Sequence, residues 1–421
     1  MIPLRYRLAA LGAGNRTQVY AALAARLPER YEFVAVADRH AARRALVSRL
    51  FPERRVAEFA DAASLLAQPR MADILIVATP DSAHFDQARQ ALALGYDLLL
   101  EKPIATNPNA TLELARLARE LGRRVLVCHV LRYTPYFRQI QSLLTGGAIG
   151  QLVNFEATQG LDPWHQAHSY VRGHWGVAET CTPLTVANSC HDFDILSWLV
   201  DAPCDTVASS GSLLHFRSQN APAGAPARCT DGCPVGPTCA YNALRYLTDR
   251  RNWLGTVYEH AATATDVEIN DWLRTSKWGR CVYRCDNTTV DHQSTALAFA
   301  NGVTGTFTVT AFSSGRDLAL FGTEGRILAG ARTRQTVGCD ILLERFDGRP
   351  GEKINVTAPD EWHRDADAGM MHDMYLEMQK PDPAAMLTSL ERSIESHLIG
   401  FAAEESRSTG RIVDLAARRK S

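Results

Sequence analysis

The chain has 421 residues, of which 46% are hydrophobic and 22% charged, and 45 Lys and Arg stand against 46 Asp and Glu for a formal net charge of -1. These values exclude a disordered, collagen-like or coiled-coil chain. The charge balance argues against a general nucleic-acid binder, which needs a basic surface to neutralise phosphates, and against a polybasic membrane anchor.

The first strand pattern is the apolar run Leu8 to Leu11, followed by glycines rather than by a signal-peptide cleavage site. Gln18 to Leu27 reads as helix, Phe33 to Ala37 as strand, Ala60 to Leu66 as helix and Ile74 to Ala78 as strand. Phe85 to Leu94 and Ala110 to Leu121 read as helices that alternate with strands at Asp97 to Leu100 and Val125 to Val127. Continuous apolar runs separated by helices predict a parallel sheet covered on both faces, the doubly wound Rossmann architecture, over residues 1–128. Beyond that the rhythm changes. Leu152 to Thr158, Val207 to Leu213, Ser294 to Phe299, Thr304 to Ala311 and Leu318 to Phe321 tend to alternate apolar and polar residues, as antiparallel strands with one wet face do. Helices are predicted over Asp192 to Leu199 and Leu387 to Glu405. Residues 129–421 therefore read as an α+β domain, with an irregular Cys-rich insert near 215–290. No apolar run reaches the roughly 18 residues of a membrane span, so a cytoplasmic chain with no membrane partner is expected.

Gly12-Ala13-Gly14-Asn15-Arg16-Thr17 follows the first strand and opens the first helix. Gly12 permits the tight turn, Gly14 lets a pyrophosphate approach the backbone, and the helix N-terminus offers free N–H groups to it. Asp38 closes the second strand and can accept from both ribose hydroxyls while repelling a 2′-phosphate. This favours NAD over NADP, although Arg39 beside it works the other way. Thr17 stands where a third glycine or alanine normally allows close helix–strand packing.

Only five lysines occur, and Lys102 is the one lysine in the first 276 residues. It sits in Glu101-Lys102-Pro103, at the carboxyl end of a parallel strand, where ligands bind in such sheets. An ammonium there can hold a substrate hydroxyl and stabilise the alkoxide that forms as hydride leaves. Arginine would serve poorly, since its fork is bulky and its charge is never given up.

The glycine loop, Thr79-Pro80 with His84 five residues after Thr79, Glu101-Lys102-Pro103, His191-Asp192-Phe193-Asp194 and Gly322-Thr323-Glu324-Gly325 together resemble the Gfo/Idh/MocA oxidoreductase family over most of the chain. The resemblance implies a Rossmann domain followed by a large open, mainly antiparallel sheet that supports substrate binding and pairing into a homodimer or homotetramer. It implies a nicotinamide cofactor contacted by Gly12, Gly14, Asn15, Arg16, Asp38, Arg39, Thr79, Pro80, His84, Glu101 and Lys102. Lys102 matches the family's catalytic lysine and His191 its catalytic histidine, often the general base; Ala187 stands where relatives often carry an aspartate. Tyr133 in Leu131-Arg132-Tyr133-Thr134-Pro135 resembles a motif near the family pocket and is a third catalytic candidate. His129 on the same segment, Asn188, and Arg172, His174 and Trp175 in a polar aromatic loop are candidate substrate contacts, as is His292.

The implied activity is hydride transfer between NAD and a ring carbon of a sugar, sugar derivative or polyol. A rival use of the same parts is glycoside cleavage by transient C3 oxidation, elimination and re-reduction. It needs an extra base, for which Tyr133, His129 and His174 are candidates, and Arg172 would then suit an anionic glycoside. A sensor that binds NAD and sugar without turnover is a further alternative. Separately, Cys229, Cys233 and Cys239 fall within eleven residues, and Cys281 and Cys285 follow. Three thiolates plus Cys285 would suit a structural tetrahedral Zn²⁺; free thiols, a disulfide or an iron–sulfur centre stay open.

Overall fold

The computed structural model of the chain describes residues 5–356 and 362–419, which fall into two compact units. The first unit holds residues 1–138 with 193–195 and 357–398. Its six-stranded sheet is parallel throughout, in the order β3-β2-β1-β4-β5-β6. The strands are β1 (Tyr6–Leu11), β2 (Tyr31–Ala37), β3 (Ala57–Phe59), β4 (Ile74–Val77), β5 (Asp97–Leu100) and β6 (Val125–Val127). Helices α1 (Asn15–Ala25), α2 (Ala41–Ser48), α3 (Ala62–Leu66), α4 (Asp81–Ala93) and α5 (Pro108–Glu120) connect them.

The apolar runs explain the layering. Successive side chains of a strand point to opposite faces, so a strand buried on both must be apolar at every position. Leu8, Ala10, Ile74, Ile76 and Leu99 enter one apolar cluster, and their neighbours Ala9, Leu11, Leu75, Val77 and Leu98 enter the other. The first cluster is closed by Tyr20, Ala21 and Ala24 of α1, and by Met370, Met371 and Met374. Those methionines lie on the helix Trp362–Glu377, which the sequence pattern did not announce. The second cluster is closed by Ala88, Ala91 and Leu92 of α4 and by Leu114, Ala115 and Ala118 of α5. The Rossmann unit is thus completed by a helix that begins at Trp362, far beyond the expected boundary at 128, and not by the first residues alone.

The second unit holds residues 139–192, 196–356 and 399–421. Its nine-stranded sheet runs in the order β14-β13-β12-β11-β7-β10-β9-β8-β15. These strands are β7 (Leu152–Leu161), β8 (Cys204–Ser212), β9 (His292–Phe299), β10 (Thr304–Thr310), β11 (Ser314–Gly322), β12 (Gly325–Gly330), β13 (Ile341–Arg345), β14 (Glu352–Ile354) and β15 (Val413–Asp414). Every pair is antiparallel except β7 with β10. Burial alternates along β9, as expected of a sheet with one covered face.

The insert between β8 and β9 is more ordered than its composition suggests. Thr265 and Glu268 form a reciprocal capping box at the start of the helix Asp266–Thr275. Ile269 and Leu273 of that helix pack with Tyr246, Leu254 and Trp278 of the insert, and with Trp164 just after β7, into a small separate core. Among the described residues no helix is long and apolar enough to cross a membrane.

Candidate functional site

The glycine loop leaves β1 and turns into α1. Gly12 has φ +84°, and a Cβ there would lie 2.5 Å from the Ala78 carbonyl oxygen, so only glycine fits. A Cβ on Gly14 would meet no atom within 4 Å. Gly14 is the N-cap of α1, whose first N–H groups have no carbonyl partner within the helix. The open space over Gly14 and the exposed helix end fit the pyrophosphate of a dinucleotide. At the end of β2 the Asp38 carboxylate accepts from the Ala13 N–H and the His40 N–H, both at 2.8 Å, and so fastens the loop while remaining half-buried. Asn15 and Arg39 are exposed. Thr17 is fully buried at the packing position, with its hydroxyl unpartnered among the described residues.

Lys102 follows β5 and is half-buried, and its peptide bond to Pro103 is cis. Its surroundings fix the turn from three directions. Glu101, 5% exposed, accepts from Arg16 Nε at 2.6 Å, from the Tyr20 hydroxyl at 2.5 Å and from the Lys102 N–H at 3.1 Å. Burial alone pushes the Glu101 carboxyl up, but Arg16, Lys102 and the Tyr20 hydrogen bond outweigh it and hold the group below the usual glutamate value. His84 bridges the Thr79 carbonyl (2.8 Å) and the Pro103 carbonyl (2.7 Å), tying the end of β4 to the turn. His397 accepts the Ile104 N–H on Nε2 at 3.0 Å. Burial, and next the neighbouring His129, push His397 down to about 3, so it stays neutral and can act as this acceptor.

Several expected cofactor contacts are braces instead. Both outer nitrogens of Arg16 bind the Asp367 carboxylate, at 2.6 and 2.9 Å, so its side chain is committed within the protein and does not reach for a phosphate. Glu101 and His84 are buried in the bonds just described. Thr79 donates its hydroxyl to Gln87, and Pro80 is exposed at the start of α4.

Tyr133 is corrected as a catalytic candidate. It is 2% exposed within the first apolar cluster, it pairs with the Thr388 hydroxyl at 2.9 Å, and burial pushes its phenol far up. His129 is 1% exposed, with Nε2 3.8 Å from Asp194. Burial, and then the positive charge of Arg132, keep it neutral. Asp194 itself is clasped by Arg132 through two bonds of 2.7 Å.

In the second unit His191 lies in the first turn of the helix Cys190–Val200 and is 5% exposed. A polar network flanks it. Arg316 binds Asp192 at 2.7 Å, and with its carbonyl turned toward donors Gln159 accepts from Asn188 and Arg316 at 3.2 Å and donates to Asp192 at 3.0 Å. Ala187 is buried on the preceding turn. His292 presents a half-exposed ring whose Nδ1 bonds Asp291 at 2.8 Å, and Asp291 is itself held by the Leu214 and His215 N–H groups. His174 is exposed and meets Lys277 at 3.4 Å, and Trp175 stacks on Tyr170.

Arg172 is corrected as a substrate grip. It is 2% exposed and donates to the carbonyls of Arg280 (2.7 Å) and Tyr241 (2.6 Å), facing the insert's interior. The expected zinc set is likewise not supported: among the described residues no three His, Cys, Asp or Glu are placed to hold a metal ion. The Cys285 thiol donates to the Cys281 carbonyl at 3.3 Å, and it is Cys281 that shares a cavity with Cys229, Cys233 and Cys239.

The braces Asp367, His397 and Tyr20 were absent from the sequence analysis, and Arg132 appeared there only as a neighbour of Tyr133 in its motif. No local pattern marks them, because each acts on a partner brought close only by the fold.

Comparison with known proteins agrees with this geometry. Residues 6–129 match the Gfo/Idh/MocA oxidoreductase family's NAD-binding Rossmann fold, and residues 137–328 match a Gfo/Idh/MocA C-terminal domain. The chain is 27% identical over 194 residues to the putative oxidoreductase YteT of Bacillus subtilis, covering 45% of each. It is 25% identical over 146 residues to the scyllo-inositol 2-dehydrogenase (NAD(+)) of the same organism, covering 34% of this chain and 40% of the relative. The chain thus spans less than half the length of these curated relatives. A levoglucosan dehydrogenase solved with NADH and levoglucosan superposes with a TM-score of 0.70, at 16% identity, over 98% of this chain and 99% of that one.

Proposed function

The chain belongs to the Gfo/Idh/MocA oxidoreductase family, and from that premise we propose that it is an NAD-dependent dehydrogenase acting on a ring carbon of a sugar, sugar derivative or polyol. The observation that carries the reading is the bond between Arg16, in the first turn of α1, and Glu101, the residue before Lys102. It supports a position for Lys102, the one lysine in the first 276 residues, beside the dinucleotide loop. A bound nicotinamide would supply the hydride acceptor or donor. Lys102 donates to the substrate oxygen and stabilises its negative charge as the C–H bond breaks. His191 takes or returns the hydroxyl proton, with the Gln159–Asn188–Asp192–Arg316 network flanking its helix turn. His292, His174 and Trp175 supply polar and stacking contacts for a hydroxylated ring. NAD is favoured over NADP by Asp38. Relatives named for inositol and levoglucosan support a cyclic polyol or sugar as the substrate class, and a homodimer or homotetramer is the proposed assembly.

The test is Lys102→Met. NADH binding, followed by quenching of protein fluorescence, should stay within about twofold of the parent. Turnover of a panel of inositols, hexoses and anhydrosugars should fall by at least ~10³-fold, the scale of one lost charge-stabilising donor. Parent-like turnover in this variant would remove Lys102 from the chemistry.

A further inference from the structure

Cys229, Cys233, Cys239 and Cys281 line one small cavity in the insert, and none of the residues given a cofactor or substrate role above lines it. Three come from the loop 229–239 and the fourth from the far side of the insert. The two segments are pinned together by an isolated antiparallel bridge between Arg228 and Arg280. Its flanking bonds run from the Cys229 N–H to the Gly279 carbonyl (3.0 Å) and from the Cys281 N–H to the Ala227 carbonyl (2.9 Å). The backbone therefore pins the segment that carries Cys229 to the one that carries Cys281, with the two cysteines diagonal across the bridge, although 52 positions separate them in sequence.

Beside them lies a charge without a counter-charge. Arg172 is 2% exposed, and its partners are two carbonyl oxygens and the Cys229 sulfur, at 3.8 Å from Nη2. Its Nη1 is buried with no partner, and no carboxylate pairs with it among the described residues. A guanidinium stays charged at any accessible pH, and burying it against neutral groups alone is expensive. The four thiols beside it could supply the missing negative charge, but only on giving up their protons to a bound cation. Four thiolates around one cavity repel each other strongly unless a cation joins them.

From the shared cavity and the unpaired Arg172 we propose that Cys229, Cys233, Cys239 and Cys281 are the ligands of a thiolate-bound metal centre that clips the insert, with Arg172 as its counter-charge. Binding a divalent ion releases four protons and forms four metal–sulfur bonds, leaving a charge of -2 that Arg172 halves. An iron–sulfur cluster would use the same four thiolates. As free thiols the four side chains do not converge on one point, so a single ion must draw them inward by rotation about Cα–Cβ, whereas a cluster reaches ligands that stand further apart. A closed set of four sulfurs leaves no position for substrate, so the centre is structural.

The experiment uses the full-length protein, purified without oxygen and supplied either with Zn²⁺ or with iron and sulfide. We expect one zinc per chain, or iron with matching acid-labile sulfide and visible absorbance; either result supports the thiolate centre and identifies its metal. Iodoacetamide labelling read by mass spectrometry before and after chelation should show Cys229, Cys233, Cys239 and Cys281 protected only while metal is bound, with Cys285 unaffected. Cys285→Ser should keep the metal and Cys281→Ser should lose it. Less than ~0.1 metal per chain under both regimes, or chelation-dependent protection of Cys285 in place of Cys281, overturns the proposal even where a variant fails to fold.

Discussion

Glu101→Gln removes one negative charge from the brace under Lys102 while keeping its shape. The parent carboxylate is buried and receives Arg16 Nε at 2.6 Å, the Tyr20 hydroxyl at 2.5 Å and the Lys102 N–H at 3.1 Å. Breaking a buried ion pair outright costs about 3–5 kcal/mol. Here Asp367 still binds the other arm of Arg16, so the guanidinium is not stranded. What is lost is the charge assistance of one bond, about 1.5–3 kcal/mol, and the glutamine NH₂ must face at least one donor. A loss of roughly 2–3 kcal/mol, at a urea slope of about 2 kcal/mol per M, lowers the unfolding midpoint by about 1–1.5 M. The pH dependence follows from the depressed folded-state pKa of Glu101. Such a group stabilises fully above its unfolded value, about 4.3, and its contribution disappears as pH falls through the folded value. Urea melts followed by circular dichroism should therefore show a parent-minus-variant gap that is flat from about pH 8 to 5.5 and shrinks below about 4.5. Equal midpoints at pH 7, or a gap that widens in acid, would refute the charge-brace account.

The two loop glycines should separate folding from binding. Gly12→Ala drives a Cβ into the Ala78 carbonyl and should lose about 1–3 kcal/mol in thermal or urea melts along with NADH binding. Gly14→Ala meets no atom, so it should melt like the parent while NADH affinity by fluorescence titration drops at least tenfold. Tyr133→Phe loses only the bond to Thr388, so it should cost about 1 kcal/mol and leave kcat unchanged; a collapse of kcat with intact NADH binding would restore Tyr133 to the chemistry. Asp194→Asn takes the carboxylate charge away from the buried Arg132 guanidinium and should cost about 3–5 kcal/mol in urea melts, and a loss under 1 kcal/mol would show that the pair is solvated.

The sequence carries the parts of the fold that local physics decides. Runs such as Ile74 to Val77 announce parallel strands because both faces are buried, and Gly12 announces its turn because no Cβ fits. The helix Trp362–Glu377 was missed, although its methionines close one face of the Rossmann sheet. Its apolar side is spread around the cylinder, and only tertiary contact gives it meaning. β12, β13 and β14 were missed for a related reason. Their registers are set by neighbours across the sheet, and short strands carry little period of their own. At the site, residue type was legible and direction was not. Arg16 and Arg172 stand where an anion-gripping residue is expected, but each guanidinium turns into the protein, toward Asp367 in one case and toward carbonyls and a sulfur in the other.

That turn inward bears on the choice between net oxidation and redox-neutral glycoside cleavage. Cleavage by elimination needs a base for the proton beside the transient ketone, in addition to the group that handles the hydroxyl proton. Of the three side chains suited to it by sequence, Tyr133 is held protonated by burial and by its place in the apolar cluster. His129 is buried and held neutral, which makes it a weak base, and the Asp194 carboxylate near it is already claimed by Arg132. His174 is left, exposed, with Nδ1 3.4 Å from the Lys277 ammonium. Arg172, the group that would have recognised an anionic aglycone, faces the cysteines. A dehydrogenase asks for less. It needs a donor to the substrate oxygen and one proton acceptor, the roles proposed for Lys102 and His191. The burial of Tyr133 and His129 thus leaves the exposed His174 as the remaining one of the three candidate second bases, and on that ground the dehydrogenase is the reading we propose.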